Sequence, residues 1–350
     1  MKTHAIPGVQ DYARAMITVV AVPFTDARAQ SLWNEQQLEM ARRYDDAEAP
    51  VHLSPHGVFV SLLGLDAHGD PVGTVAARWS AAHGPGIAEI KRLYVVPEHR
   101  RSGYARVLMG ALERAAERMG AIQLVLETGL AQPEAISLYQ RIGYDRITPY
   151  GQWAGHPQVV CMGKHLPTRV LVINGAMGAG KTATGYAALG LLGSAGVRVG
   201  FIDADALCEA SPREDDDPYH QRLLFASLPA LAPVYRERGF GCMMVARVVE
   251  DPEDRDRYAR AFAGPGGHAS VSIVQVEAPA PVREARLIER EPQGEWADFA
   301  LTRTAEIAEA LEELELDDAV VSTDGVTREE AARDVLDAAG WWVPDAEPIV

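Results

Sequence analysis

Between Gly175 and Thr182 the chain reads GAMGAGKT, the spacing G-x-x-x-x-G-K-T. Glycines at 175, 178 and 180 let successive backbone N–H groups turn toward one point, where they can cradle phosphate oxygens. Lys181 is the only lysine after Lys164, in a stretch that carries 16 arginines. A narrow stem ending in a compact ammonium reaches β- and γ-phosphates where a planar guanidinium does not fit, which accounts for the exception. The candidate phosphate contacts are therefore Gly175, Ala176, Met177, Gly178, Ala179, Gly180, Lys181, Thr182 and Ala183, with the Thr182 hydroxyl as a candidate Mg2+ ligand. A second loop, Arg100-Arg101-Ser102-Gly103-Tyr104-Ala105, joins a strand to a helix. Its consecutive N–H groups at a helix N-terminus, with two arginines and a glycine, suit a pyrophosphate. The bland reading is a plain basic turn. Upstream, Glu89 and Lys91 stand two residues apart on one strand and so share a face.

Such loops need strands to hold them and helices to open from them. The chain has 350 residues, enough for two domains. The first half reads as strands at MITVVAVP, GVFVSLLGLDAHGDPVGTVAARW (two, around a turn at Asp66–Pro71), AEIKRLYVV, IQLVLET and QVVCMGKHL, with helices at SLWNEQQLEMARRYDD, 105–119 and QPEAISLYQRIGY. This mixed α+β domain ends near Leu166. The second half alternates strands (RVLVIN, VRVGFID, GCMMVARVV, VSIVQVEA, DAVVST) with helices from Lys181 to about Leu192 and over 281–291, 298–315 and 327–339. A further helical stretch, RLLFASLPALAPVYRERG, is expected to break at Pro229 and Pro233. Thr327 and Glu330 form a capping box. That alternation predicts a doubly wound parallel sheet with helices on both faces, hence an α/β chain of two domains over 1–166 and 168–343.

Charge separates the halves too. Residues 1–166 balance 16 Lys+Arg against 16 Asp+Glu, so the whole net charge of −16 lies beyond them. Such a surface repels phosphate backbones and argues against a nucleic-acid partner. Cys161, Cys208 and Cys242 form no metal or disulfide pattern, and the ten histidines form no H-x-H or HExxH. Buried inert thiols, no 18-residue apolar run and no secretory h-region in MKTHAIPGVQDYARAM lead to the expectation of a cytoplasmic chain without a membrane partner.

The run RxxGxA after a strand ending Val-x-Pro, followed about 30 residues on by AISLYQRIGY, resembles the GNAT acetyltransferase superfamily over about residues 16–166. The resemblance implies acetyl-CoA as cosubstrate, an amine acceptor and no covalent enzyme intermediate. Arg100 to Ala105 would then hold the CoA pyrophosphate, and the backbone of Tyr94, Val95 and Val96 the pantetheine arm. A bulge in that strand would free an N–H for the oxyanion. Tyr139 falls where the superfamily places a general acid, the alternative being a packed aromatic. Glu89 falls where many members place a base, the alternative being a solvated Glu–Lys pair. The acceptor would be met by the first helices, around Trp33 to Tyr44.

The spacing G-x-x-G-x-G-K-T resembles P-loop small-molecule kinases such as the shikimate, gluconate, adenylylsulfate and chloramphenicol kinases, over about residues 168–340. This implies ATP and Mg2+, with a small-molecule hydroxyl as acceptor. Asp205 would orient or deprotonate that hydroxyl and Asp203 would support the metal; the alternative is that Asp205 caps a helix. Arg286 and Arg290, with Arg283, fall on one helical face and resemble the lid arginines of such kinases; Arg303 is a further candidate. The third strand departs from the pattern, with Arg247 in place of a clean run ending in Asp, and the acidic Asp215–Asp217 loop reads as solvated, the alternative being a cation site. The implied activity is a bifunctional acetyltransferase and kinase, with three alternatives: an ATP-binding regulatory module, a polynucleotide kinase and a nucleic-acid-dependent ATPase. The motifs name neither acceptor nor oligomeric state.

Overall fold

The computed structural model describes residues 17–44, 53–80, 82–151, 154–290 and 292–341. Met16 of the expected first strand, Asp45 and Asp46 of the expected first helix, and the expected chain-terminal domain limits at 1 and 343 lie outside these residues. The chain divides into two compact units, the first ending at Lys164 and the second beginning at His165, except that Glu117–Ile122 groups with the second.

The first unit runs β1 (Thr18–Ala21), α1 (Ala27–Tyr44), β2 (Val58–Leu65), β3 (Pro71–Trp79), β4 (Ile87–Val95), α2 (Tyr104–Arg118), β5 (Gln123–Gly129), α3 (Pro133–Arg141), β6 (Asp145–Arg146) and β7 (Val159–His165). The strands form one sheet in the order β1-β2-β3-β4-β5-β7-β6. Neighbours from β1 to β4 are antiparallel, and β4 pairs with β5 in parallel. Asp26 caps α1 by accepting from the Arg28 and Ala29 N–H groups at 2.9 and 3.2 Å. Ala29, Leu32 and Trp33 then recur at helical spacing and are buried with Leu63, Ala76 and Tyr94 of the sheet. The Trp33 indole N–H donates to the Thr74 hydroxyl at 3.1 Å, which fixes the helix on that sheet face.

The second unit runs β8 (Arg169–Asn174), α4 (Lys181–Ser194), β9 (Val199–Asp203), α5 (Ala204–Leu207), α6 (Gln221–Glu237), β10 (Cys242–Ala246), α7 (Asp254–Ala261), β11 (Ser270–Glu277), α8 (Ala280–Arg290), α9 (Glu295–Leu314), β12 (Ala319–Ser322) and α10 (Arg328–Ala338). Its five strands are all parallel, in the order β12-β11-β8-β10-β9. In the central strand β8, Val170 and Val172 pack with Leu224 and Leu228 of α6 and Tyr258 of α7. Leu171 and Ile173 face the other way, onto Ala188 and Leu192 of α4 and Val335 and Leu336 of α10. Burial on both faces is why β8 is an uninterrupted apolar run. The Thr327–Glu330 capping box is present at the start of α10.

Against expectation, α6 continues through Pro229 and Pro233. Both prolines lie on its exposed side, while Leu224, Leu228 and Ala232 anchor the buried side at intervals of one turn. Core burial outweighs the missing helical donors. Restoring one donor relieves a helix-interior proline cost of about 3 kcal/mol, partly offset by about 0.4–1 kcal/mol from a looser unfolded chain. Pro229→Ala should therefore stabilise the protein by about 2–3 kcal/mol in urea unfolding; a lowered midpoint would contradict this account of α6.

Candidate functional site

In the first unit the site starts where two strands part. Pairing between β4 and β5 covers Ile87, Ala88 and Glu89 opposite Gln123, Leu124 and Val125, and stops there. Against β3, Ala76 lies opposite Lys91 but Thr74 opposite Tyr94, so β4 carries an extra residue. Arg92 sits in that bulge with φ 59°. A bulge bends its strand and leaves a residue outside the ladder, which turns the end of β4 away from β5. Beyond the fork, the Leu93 carbonyl accepts from the Gln36 side chain of α1 at 2.8 Å, and the Val95 carbonyl accepts from Arg100 at 3.0 Å. The Val96 N–H is already donated to the Val72 carbonyl at 3.0 Å, so of Tyr94 to Val96 this donor is engaged.

After a single turn of 3₁₀ helix at Pro97–His99, the basic loop delivers the chain to α2. Arg101 and Gly103 both adopt left-handed φ, 64° and 86°. A Cβ at Gly103 would meet nothing within 4 Å, so the glycine serves the backbone angle and leaves room above the helix N-terminus. The first-turn N–H groups of Tyr104 and Ala105 have no intrahelical acceptor and favour an anion. Arg101, Ser102 and Gly103 are exposed there. Arg100 is bound elsewhere, its guanidinium on Glu39 of α1 and 5.6 Å above the Tyr94 ring.

At the fork itself Glu89 is buried, at 5% exposure. It is not a solvated partner of Lys91. Arg78 and the Lys91 ammonium hold it at 2.7 and 2.8 Å, and Lys91 also reaches Glu127 of β5 at 2.7 Å. Burial pushes the Glu89 carboxyl up, but Lys91 and Arg78 together outweigh it and hold the group below its ordinary value of 4.5. The Tyr150 hydroxyl stands 3.4 Å from the same carboxylate. Tyr139 is buried on α3, its ring 5.9 Å from that of Tyr144. Burial pushes its phenol up, so it stays protonated, the form an acid must have.

These features meet in a known family. Residues 23–144 match the acetyltransferase (GNAT) family model, and this part of the chain is a GNAT acetyltransferase domain. An uncharacterized N-acetyltransferase of Schizosaccharomyces pombe is 35% identical over 96 residues, 27% of this chain and 56% of that protein. An IAA acetyltransferase of Azospirillum brasilense is 35% identical over 81 residues, 23% of this chain and 53% of that protein. The chain thus spans about half the length of these curated relatives. A solved Klebsiella pneumoniae structure described as an acyl-CoA N-acyltransferase is 31% identical, covering 43% of this chain and 97% of that one with a TM-score of 0.37.

The second unit places its glycine-rich loop between β8 and α4. At Gly175, with φ 140°, a Cβ would lie 2.2 Å from the Val276 carbonyl, so the loop hugs β11 only as glycine. Lys181 is buried, and its ammonium donates to the Gly175 and Ala176 carbonyls at 2.8 and 3.2 Å. Burial lowers its pKa, with Asp205 opposing. The Thr182 hydroxyl donates to Asp203 at 3.1 Å, which brings the two candidate metal residues together. It is Asp203, not Asp205, that caps the following helix. Asp205 instead receives the Arg247 guanidinium at 2.6 Å, and Arg247 stands where β10 ends beside β8. Arg286 lies against the loop, donating to Gly178 at 3.2 Å and to the Thr323 carbonyl at 2.8 Å. The other arginines part company with it. Arg283 bonds Ala278 and Thr304, Arg290 covers the Trp296 ring at 5.2 Å, and Arg303 pairs with Glu250.

The acidic loop is exposed as expected apart from Asp217, and Glu214, Asp216 and Asp217 converge there on Arg222. Asn174 is a residue that motif reading passes over. Fully buried, its side chain accepts from the Gly175 and Val249 N–H groups at 2.7 and 2.8 Å and donates to Asp317 at 2.9 Å. A polar residue closing an otherwise apolar strand was the available signal.

The folded pKa of Glu89 lies below its unfolded value. Its contribution to stability is therefore present above about pH 4.5 and lost as pH falls through the folded value. Glu89→Gln should cost about 1–3 kcal/mol at pH 7 and flatten the acid limb of stability, read by urea unfolding from pH 3 to 7. An unchanged acid limb would remove Glu89 from the network.

Proposed function

We propose that this protein transfers an acetyl group from acetyl-CoA to an amine at the β4–β5 fork, and that its second unit binds Mg-ATP and transfers a phosphoryl group to a small-molecule hydroxyl. The observation carrying the first part is the fork itself, open beyond Glu89 and leading to the N-terminus of α2. A thioester arm laid along Tyr94 and Val95 brings its carbonyl to the fork, and its diphosphate to Gly103, Tyr104 and Ala105. The neutral amine attacks the carbonyl carbon, and an N–H released at the Arg92 bulge steadies the oxyanion. The C–S bond breaks as Tyr139 protonates the leaving thiolate, and the proton shed by the attacking nitrogen returns to Tyr139 through water. Glu89, held ionised, attracts the incoming ammonium and takes up its proton directly or through water.

The second part rests on the glycine loop with its buried Lys181. The loop carbonyls now satisfy an ammonium that a triphosphate would draw outward, and Arg286 adds charge at the same place. The Thr182 hydroxyl and the Asp203 carboxylate fit Mg2+, which prefers few protein oxygens alongside phosphate and water and would neutralise developing phosphate charge. Asp205 is the candidate base. Arg247, standing where a metal-supporting carboxylate would be expected, favours a second reading in which ATP binds without being transferred.

Thermal unfolding with acetyl-CoA, Mg-ATP and both separates these claims. A ligand at 100 times its Kd adds about 2.7 kcal/mol to the unit that binds it. Gly103→Trp should lose only the acetyl-CoA response, and Lys181→Ala only the Mg-ATP response. A wild type indifferent to acetyl-CoA would end the first proposal, and one indifferent to Mg-ATP the second. With an acceptor in hand, Asp205→Asn should abolish phosphorylated product, whereas ATP-dependent acetylation surviving in that variant would support the regulatory reading.

A further inference from the structure

Arg100, Glu39, Arg43 and Glu134 form one continuous strap of alternating charge within the first unit. Arg100 follows β4. Its guanidinium binds Glu39, with one contact at 3.1 Å. Glu39 binds Arg43, one turn further along α1, at 3.0 Å. Arg43 then reaches Glu134, at the start of α3, and the Ala131 carbonyl just after β5, the latter at 3.3 Å. The strap thus ties the continuation of β4 to the continuation of β5 by way of α1, across the open end of the fork.

We propose that Glu39 competes with the cosubstrate for Arg100, so that acetyl-CoA binding exchanges a carboxylate for a diphosphate. The inference rests on the acetyl-CoA reading of the fork. The guanidinium is accessible, with the Arg100 side chain 37% exposed. Its stem is fixed by the hydrogen bond from Nε to Val95, so it can change partner without leaving the loop. Glu39 offers Arg100 one carboxylate that it already shares with Arg43, while a diphosphate offers several charged acceptors beside the α2 N-terminus. After the exchange Glu39 keeps Arg43, and α1 stays on β4 through Gln36 and the Leu93 carbonyl. Glu39 is on this account a positioning residue, acting through Arg100 on cosubstrate affinity.

The test is calorimetric titration of the full chain with acetyl-CoA and with S-acetylpantetheine, which lacks the diphosphate. Glu39→Gln should tighten acetyl-CoA about 2- to 5-fold and leave S-acetylpantetheine unchanged. Glu35→Gln, an equal charge change one turn earlier on α1, should leave acetyl-CoA within error of wild type. Unchanged or weaker acetyl-CoA binding in Glu39→Gln would overturn the proposal, as would equal tightening in both variants, which would mark a general charge effect. A wild type that binds neither probe would instead reject the reading of the fork on which the proposal stands.

Discussion

Two parallel strands that pair for three residues and then separate leave unpaired backbone groups facing each other, and the first unit is arranged around that constraint. Buried peptide groups without partners are expensive, so a fork persists only if something else meets them. Side chains do part of this, Gln36 taking the Leu93 carbonyl and Arg100 the Val95 carbonyl. What they leave open is a slot with peptide edges, leading to a helix N-terminus. At its closed end Glu89 sits among Arg78, Lys91 and Tyr150. A fork with one extended polar edge and a charged apex suits a long ligand with a reactive tip, which is the shape of an acyl thioester.

The second unit solves the reverse problem. There a glycine-rich loop is held by side chains from several neighbouring elements. Lys181 bonds the loop's own carbonyls, while Asn174 ties Gly175 and Val249 together from beneath. Arg286 and the Thr323 hydroxyl brace the far side, both against the Ala179 carbonyl. The loop is therefore supported from three elements of the sheet and helix layers, and its shape does not depend on any one contact.

The strands and the two loops were legible because their signals are local. RVLVIN is apolar at every interior position, which only a strand buried on both faces requires, and β8 spans those six residues. GAMGAGKT and RRSGYA carry their glycines where the backbone turns left-handed. The partners of the charged residues were not legible. Arg100 and Glu39 are 61 residues apart, and Arg247 and Asp205 are 42 apart, so only the packing of separate elements joins them. The α7 segment DRDRYARA escaped notice because its composition is that of a solvated turn; burial of Tyr258, Asp254 and Ala261 holds it in place. The continuity of α6 through two prolines belongs to the same class, since local propensity lost to tertiary burial.

The scarcity of lysine has a consequence for the chain as its own neighbour. The sequence holds four lysines, at 2, 91, 164 and 181, among 33 basic residues. Lys91 is locked between two carboxylates, Lys164 is bound by Glu113, and Lys181 is buried. Guanidinium groups, which carry the rest of the positive charge, stay protonated and are poor nucleophiles. A centre that acylates amines would thus find no free lysine ammonium among the described residues. For an acyltransferase, such a composition would limit self-modification and leave the acyl donor for molecules that arrive from outside.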